Sequence, residues 1–176
     1  MISVWQRNKL AFLFLAKFIG VFLLLNTAYG FFVSHYYPKA DPITLSISKQ
    51  VADGLSLFHE DVSAIPLENQ PYVILRLGAR NIVHVFEGCN GINVVIVFLC
   101  FLIAFPGKVK LTVLAIVLGA GIIYAMNFLR VAVLFEGALK FPAQLYFFHK
   151  YLFTAFIYGI VFILWAFWIK WGAHEK

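Results

Sequence analysis

The stretch EGCNGINVVIVFLCFLIAF, from Glu87 to Phe105, decides the fold of this chain because its character changes part-way along. Its first seven residues include an acid, a thiol, two glycines and two asparagines, whereas the next twelve are all apolar. Such a polar turn before an apolar run is typical of a helix that enters a membrane. We therefore predict a membrane span over about residues 91–105, with Cys89 at its start.

The composition agrees with a membrane protein. Hydrophobic residues make up 62% of the 176 residues and charged residues only 12%, and the mean hydropathy is +0.88. Soluble domains are about half apolar and about a quarter charged. The length fits one membrane domain over residues 1–176. Of the two cysteines, Cys100 lies inside the apolar run and is expected to be a small buried hydrophobe, which leaves Cys89 as a free thiol.

Three further apolar stretches cover about residues 10–33, 111–135 and 151–171. Each reaches the ~20 residues that a spanning helix needs, whereas residues 91–105 are short for a span. The first stretch exceeds the roughly 7–15 apolar residues of a signal peptide, so we expect it to be retained. We predict an all-α integral membrane protein, a four-span transmembrane helix bundle.

Basic residues predict how the bundle is oriented. One side carries seven of them and one acid: Arg7, Lys9, Lys17, Lys108, Lys110, Lys170 and Lys176, with Glu175. The other carries six against seven acids: Lys39, Lys49, Arg76, Arg80, Lys140 and Lys150, with Asp41, Asp53, Glu60, Asp61, Glu68, Glu87 and Glu136. A basic excess marks the cytoplasm. We expect a multi-pass protein of the cytoplasmic (inner) membrane, with both termini cytoplasmic and residues 35–88 outside. The charge of +6 then reflects this topology and contact with membrane lipid, and no nucleic-acid binding is expected.

The outer segment is predicted to hold two small elements. Residues 42–58 have apolar side chains at helical spacing, which predicts an amphipathic helix lying on the membrane. The runs Tyr72–Leu77 and Asn81–Glu87 are rich in β-branched and aromatic residues on either side of Gly78-Ala79. They predict a β-hairpin that leads the chain to Cys89.

Three polar residues from different spans fall on the same predicted face of the membrane: Cys89, Arg130 and His149. Cys89 lies between glycines at a predicted helix N-terminus, a position that favours the reactive thiolate. Arg130 lies in an apolar helix, where an arginine costs about 2.5–3.5 kcal/mol at the membrane centre and less near an edge. Asn127 shares its helical face. His149 begins the last span and is suited to proton transfer near neutral pH.

Each residue also has a simpler interpretation. A cysteine near a span is often just a small apolar side chain, an arginine at a membrane edge can reach lipid phosphate, and an interfacial histidine is often only tolerated. Taken together, a thiolate nucleophile, an imidazole acid/base and a cationic oxyanion donor form the machinery of cysteine acyl transfer. A metal site from Cys89, His84, His149 and Glu87 lacks paired ligand spacing, so no metal and no cofactor is predicted.

The chain resembles the exosortase/archaeosortase family of membrane-embedded protein-sorting transpeptidases, most closely its short exosortase F-type members. The matching features are Glu87-Gly88-Cys89-Asn90-Gly91-Ile92, then Asn127-Phe128-Leu129-Arg130, then Phe148-His149, in this order. The resemblance covers about residues 72–171. The family often has Ser at the position of Asn90, and many members have about eight spans where this chain is expected to have four.

The resemblance implies a function. The chain would cleave surface-protein precursors that end in a short motif, a transmembrane helix and a basic tail, at the outer face of the membrane. Cys89 would be the nucleophile, Arg130 the oxyanion or carbonyl stabiliser and His149 the general acid/base, with Glu87, Asn90 and Asn127 in support. A thioacyl-enzyme would then pass the precursor to an unknown acceptor.

Two other functions remain open on the sequence alone. The chain is a non-catalytic membrane scaffold if its polar interfacial residues only order the bundle. It is a transport subunit if they line a path for a solute, although transport usually leaves ionisable residues near the midplane of the bilayer. No such residue is evident away from the predicted outer ends.

Overall fold

The structure is a computed structural model that describes residues 8–105, 107–144 and 147–172. Within these residues, three helices are long and apolar enough to cross a membrane. They are Lys9–Tyr36 (α1), Val109–Lys140 (α4) and the helical run His149–Gly172, with mean hydropathies of 2.1, 2.1 and 2.2. The last of these consists of α5, Phe153–Phe167, between wider π-helical turns at Phe148–Leu152 and Trp168–Gly172. The chain therefore has the character of an integral membrane protein.

The helix predicted as the second span is shorter than a span. This helix, α3, runs from Ile92 to Ala104, and its 13 residues rise only about 20 Å, against the roughly 30 Å of a bilayer core. The described part of the chain thus supports three spanning helices, and the predicted four-span bundle is not confirmed. α3 begins after Gly91, which has a left-handed backbone, and ends at Phe105 just before Pro106 in the sequence.

Although short, α3 is the centre of the helical packing. Alternate residues along it are buried, and Val94, Phe98 and Leu102 pack with Ile123 of α4 and residues of α5. Gly119 of α4 makes this possible, because a methyl group there would lie 2.2 Å from the Phe98 ring. By contrast, no residue of α1 is buried within the described chain.

The predicted hairpin is confirmed and belongs to a larger sheet. Strands Tyr72–Leu77 (β2) and Arg80–Phe86 (β3) pair antiparallel, and Glu87 lies just beyond β3. A further strand, Val62–Pro66 (β1), pairs antiparallel with the other side of β2, so the order is β1-β2-β3. The sequence analysis did not predict β1, which is only five residues long and contains serine, alanine and proline.

The helix predicted over residues 42–58 forms as Pro42–Leu55 (α2), but its apolar face is not on the membrane. Ile47, Val51 and Leu55 are buried in one cluster with the sheet and with Phe135 near the end of α4. Burying each such side chain contributes roughly 1.5–3 kcal/mol, so packing under the sheet outweighs contact with lipid. Phe58, the last predicted position, lies outside the helix and is exposed.

Candidate active site

A tight turn carries Cys89 between the sheet and α3. Residues 87–91, named here the Cys89 turn, begin with a single 3₁₀ turn at Glu87–Cys89 directly after β3. Gly91 has φ +84°, a left-handed conformation that glycine adopts without strain. α3 starts at the next residue, and the amides of Val94 and Val95 both donate to the Gly91 carbonyl. The strand and the helix therefore fix the turn from both sides.

The turn brings the thiol of Cys89 to His149, as the sequence analysis predicted. Cys89 Sγ lies 3.7 Å from Nε2 of His149, a distance that a sulfur hydrogen bond spans. Cys89 is 8% exposed and His149 is half-buried. Sixty residues of sequence separate the two, so α3, α4 and the turn before α5 must all be in place for them to meet.

One detail of the predicted thiol environment needs correction. Cys89 was expected at the N-terminus of the helix, yet it lies three residues before Ile92, where α3 begins. The amide of Ile92 is already satisfied, because it donates to Oδ1 of Asn90 over 3.0 Å. The amide N–H of Ile92, which was expected to stabilise a Cys89 thiolate, therefore bonds to Asn90 instead. His149 is then the main partner of the thiol.

Asn127 and Arg130 lie on one buried face of α4. Asn127 is fully buried, and its Nδ2 donates to the carbonyl oxygen of Cys89 over 2.9 Å. Arg130, 9% exposed, donates from Nη1 to Oδ1 of Asn127 over 3.5 Å. The positive charge of Arg130 is also close enough to His149 to act on it electrostatically. All three residues predicted to form the site are therefore near one another.

The charge of Arg130 is not neutralised locally. Among the residues that the structure describes, no carboxylate lies within ion-pair distance of its guanidinium, and its hydrogen bond to Asn127 is long. A buried cation without a partner is costly. This cost is expected where the cation stabilises negative charge that appears only during a reaction.

Asn90 joins the turn to the first two helices. Its Nδ2 donates to the hydroxyl oxygen of Tyr29 in α1, over 2.7 Å, and to that of Thr44 in α2, over 3.0 Å. The hydroxyl of Thr44 in turn donates to the carboxylate of Asp41, which also caps the N-terminus of α2. With the bond to Ile92 described above, Asn90 makes three hydrogen bonds, close to the capacity of one amide.

This network was missed in the sequence, apart from Asn90 itself. Tyr29 lies in an apolar span, and Thr44 and Asp41 lie in the outer segment, 45 or more residues before Cys89. The sequence Asp41-Pro42 does signal a helix start, but no spacing rule connects it with the turn. Asp41, Thr44 and Asn90 are all buried, and buried polar groups need partners.

Glu87, the remaining supporting residue, lines a groove beside α1. The groove has a volume of about 380 Å³, and Asn26, Tyr29, Tyr37 and Asn93 also line it. Glu87 is half-buried there. The structure thus places Glu87 next to the turn, toward the first span.

Other titratable residues are used elsewhere in the fold. His84 of β3 stacks on Tyr72 with ring centroids 4.7 Å apart. His59, after α2, contacts the carboxylate of Glu136, which also pairs with Lys140 over 3.1 Å. In the described residues, no three His, Cys, Asp or Glu side chains are grouped closely enough to hold a metal ion. The alternative metal set of Cys89, His84, His149 and Glu87 is therefore not assembled.

No protein-family model, curated protein or solved structure matches this chain. The chemistry of the site therefore has to be argued from its own geometry.

Proposed function

We propose that this chain is a membrane-embedded cysteine transpeptidase or protease that cleaves C-terminal sorting signals of surface proteins at the outer face of the cytoplasmic membrane. The observation that carries the proposal is the distance of 3.7 Å between Cys89 Sγ and His149 Nε2, beside the buried and uncompensated Arg130. Cysteine acyl transfer requires a thiol, a base within hydrogen-bond reach of it and a cation beside both.

The first half of the reaction forms a thioester. Sγ of Cys89 attacks the carbonyl carbon of the scissile peptide bond while its proton passes to Nε2 of His149. The new S–C bond leaves negative charge on the carbonyl oxygen, which the guanidinium of Arg130 stabilises. When the C–N bond breaks, His149 returns the proton to the leaving nitrogen. The C-terminal fragment departs as an amine.

The second half releases the surface protein. An acceptor amine attacks the thioester in transpeptidation, and water attacks it in proteolysis. His149 removes a proton from the attacking group, and the C–S bond then breaks. The same imidazole returns the proton to the Cys89 thiolate, so the enzyme ends in its starting state.

Asn127 positions the nucleophile in this scheme. It holds the carbonyl of Cys89 on one side and bonds to Arg130 on the other, so it couples the nucleophile to the oxyanion donor. Asn90 holds the same turn from the side of α1 and α2. Neither Asn127 nor Asn90 exchanges a proton or forms a covalent bond in this scheme.

Two observations support the membrane setting and the class of substrate. In the part of the chain that the structure describes, three helices are long and apolar enough to span a bilayer. The order of the motifs around Cys89, Arg130 and His149 resembles that of exosortases and archaeosortases. With basic residues favouring a cytoplasmic location for both termini, the site faces outward. A substrate helix in the same membrane would then present its outer end at the depth of Cys89.

The test compares membranes of cells that produce the wild-type chain or Cys89→Ala. Quantitative mass spectrometry follows membrane proteins that end in one apolar helix and a basic tail. We expect C-terminal peptides of some of these proteins to persist with Cys89→Ala and to be lost with the wild type. Cys100→Ala is the matched control, because Cys100 is a buried thiol of α3, and it should behave like the wild type. Identical C-terminal peptides in all three membranes would favour a scaffold.

A further inference from the structure

The free edge of β3 leads directly to Cys89. β3 lies at one side of the sheet and pairs only with β2. Among the described residues, no group outside β2 makes a hydrogen bond to the main chain of Arg80–Phe86. Its last residue is three positions before Cys89. A row of main-chain donors and acceptors therefore ends beside the nucleophile.

The two edges of the sheet differ in how they are protected. Edge strands are usually blunted by charge, proline or short length, because an open edge can pair with another chain. β1 has only five residues, ends in Pro66, and lies between Asp61 and Glu68. β3 has seven residues, and its charges lie only at its ends, at Arg80 and at Glu87 just beyond it. Residues 82–86 between them contain no proline, lysine or carboxylate, so the middle of this edge lacks such protection.

The outer face of β3 offers contacts for side chains as well. Tyr72 stacks on His84 with centroids 4.7 Å apart and contacts Phe86 with centroids 5.2 Å apart. Phe86 is 42% exposed. These three rings form an aromatic shelf next to the open edge, while Val83 and Val85 point into the core.

We infer that the open edge of β3 binds the substrate as an added strand. The occupant is the extended peptide segment immediately before the scissile bond, held by main-chain hydrogen bonds, with alternate side chains on the aromatic shelf. This inference rests on the proposed function. In this arrangement the sheet positions the scissile carbonyl next to Cys89.

The direction of the added strand follows from the position of the substrate helix. β3 runs toward α3, which packs against the spanning helix α4, and the chain reaches Cys89 just before α3 begins. A substrate whose helix follows its scissile bond also runs toward the membrane at this point. The two chains therefore run in parallel, and β3 is about 23 Å long at ~3.3 Å per residue. That length accommodates about six or seven residues of substrate.

The probe is the peptide acetyl-Thr-Val-Thr-Val-Thr-Val-chloromethyl ketone, used on the full chain in lipid nanodiscs with Cys100→Ala. Sγ of Cys89 forms a bond to the methylene carbon, the C–Cl bond breaks, chloride leaves, and the thiol proton passes through His149 to solvent. Mass spectrometry measures the rate of labelling of Cys89. We expect the hexapeptide to react on the order of tenfold faster than acetyl-Val-chloromethyl ketone, because it can form main-chain hydrogen bonds with β3 that the shorter compound lacks.

Methylation of single peptide nitrogens tests whether a strand forms. Successive N–H groups of a strand point in opposite directions, so only every second one can bond to β3. Methylating one of these nitrogens should remove the faster labelling of Cys89, whereas methylating an intervening nitrogen should leave it unchanged. The inference is overturned if the hexapeptide labels Cys89 no faster than acetyl-Val-chloromethyl ketone does. It is also overturned if the position of the methyl group makes no difference to the labelling rate. If His149→Gln leaves the labelling of Cys89 by iodoacetamide unchanged, it is the proposed function that fails.

The position of the peptide is tested by photocrosslinking. His84 of β3 and Ile65 of β1 both pair with Ile74, so they lie in one row at opposite edges of the sheet. We expect His84→p-benzoyl-phenylalanine to crosslink to the hexapeptide and Ile65→p-benzoyl-phenylalanine not to do so. Equal crosslinking at both edges overturns the inference. So does a crosslink between two copies of the chain through residue 84, because the edge would then be occupied by a second copy.

Discussion

Asn127 packs against Gly91 and also bonds to the main chain of Cys89, so it holds the Cys89 turn at two points. A methyl group on Gly91 would lie 2.9 Å from Cγ of Asn127, while Nδ2 of Asn127 donates to the carbonyl of Cys89. The backbone of the turn therefore lies directly against α4. The approach of His149 to Cys89 also depends on α4, because α3, α4 and α5 pack together in one apolar cluster.

Gly91→Ala should therefore disturb the site far more than Gly88→Ala. Gly91 has φ +84° and no room for a methyl group, and a left-handed non-glycine residue costs about 1–3 kcal/mol. A methyl group added to Gly88 would have no neighbouring atom within 4 Å. Thermal unfolding in detergent should show a loss of stability for Gly91→Ala and little change for Gly88→Ala. Equal unfolding temperatures for the two variants would contradict this account of the turn.

Removing single hydroxyl groups from the network around Asn90 should lower activity while the chain remains folded. Tyr29→Phe and Thr44→Val each remove one partner of Asn90, so the turn is held less firmly. We expect a several-fold lower rate of Cys89 alkylation by iodoacetamide and a changed pH profile. Tyr124→Phe is the matched control, because its hydroxyl bonds to Gln50 on the exposed surface. If all three variants match the wild type, Asn90 does not position the thiol.

Arg130→Lys should fail to replace arginine even though the charge is kept. An ammonium group cannot reproduce the planar, multi-donor geometry of a guanidinium. We expect processing of the precursors identified with Cys89→Ala to fall by about 10²-fold or more, the usual cost of losing one oxyanion donor. Lys140→Arg, at the exposed end of the same helix, is the control for a Lys/Arg exchange. Near-normal processing by Arg130→Lys would show that only the charge matters.

The orientation of the chain can be tested with single cysteines. In a Cys89→Ala, Cys100→Ala background, Ser56→Cys and Lys108→Cys place a thiol in the predicted outer segment and in the link between α3 and α4. Membrane-impermeant maleimide added to intact cells should label residue 56 and not residue 108. The reverse pattern would overturn the predicted topology and place the site on the cytoplasmic side.

The sequence was sufficient to predict the elements that depend on local composition, namely the long helices and the β-hairpin. Long apolar runs predicted α1, α4 and the helix from His149 to Gly172, and two runs rich in β-branched and aromatic residues on either side of Gly78-Ala79 predicted the pairing of β2 with β3. These signals are local. The bounds of α3 were predicted to within one residue at each end, but its 13 residues are fewer than a spanning helix needs, so its assignment as a fourth span is not confirmed.

Features that depend on distant contacts were not predictable. β1 is a weak strand in isolation, and it exists because it pairs with β2. The apolar face of α2 has the spacing of a helix on a membrane, and only the sheet and α4 around it show that it is buried. The approach of Cys89 to His149 is the exception, because the predicted topology placed both residues at the outer ends of their spans. The bonds from Tyr29 and Thr44 to Asn90 depend on side-chain geometry that no spacing reveals.

The central claim is that Cys89 and His149 act as a nucleophile and its base, and the rate of Cys89 alkylation as a function of pH tests it most directly. The measurement uses the Cys100→Ala chain in nanodiscs, with and without His149→Gln. With His149 present, we expect a rate on the order of tenfold higher near neutral pH and an inflection from the titration of its imidazole. The inflection should be absent in His149→Gln. Superimposable profiles for the two proteins would contradict the pairing and, with it, the proposed enzyme.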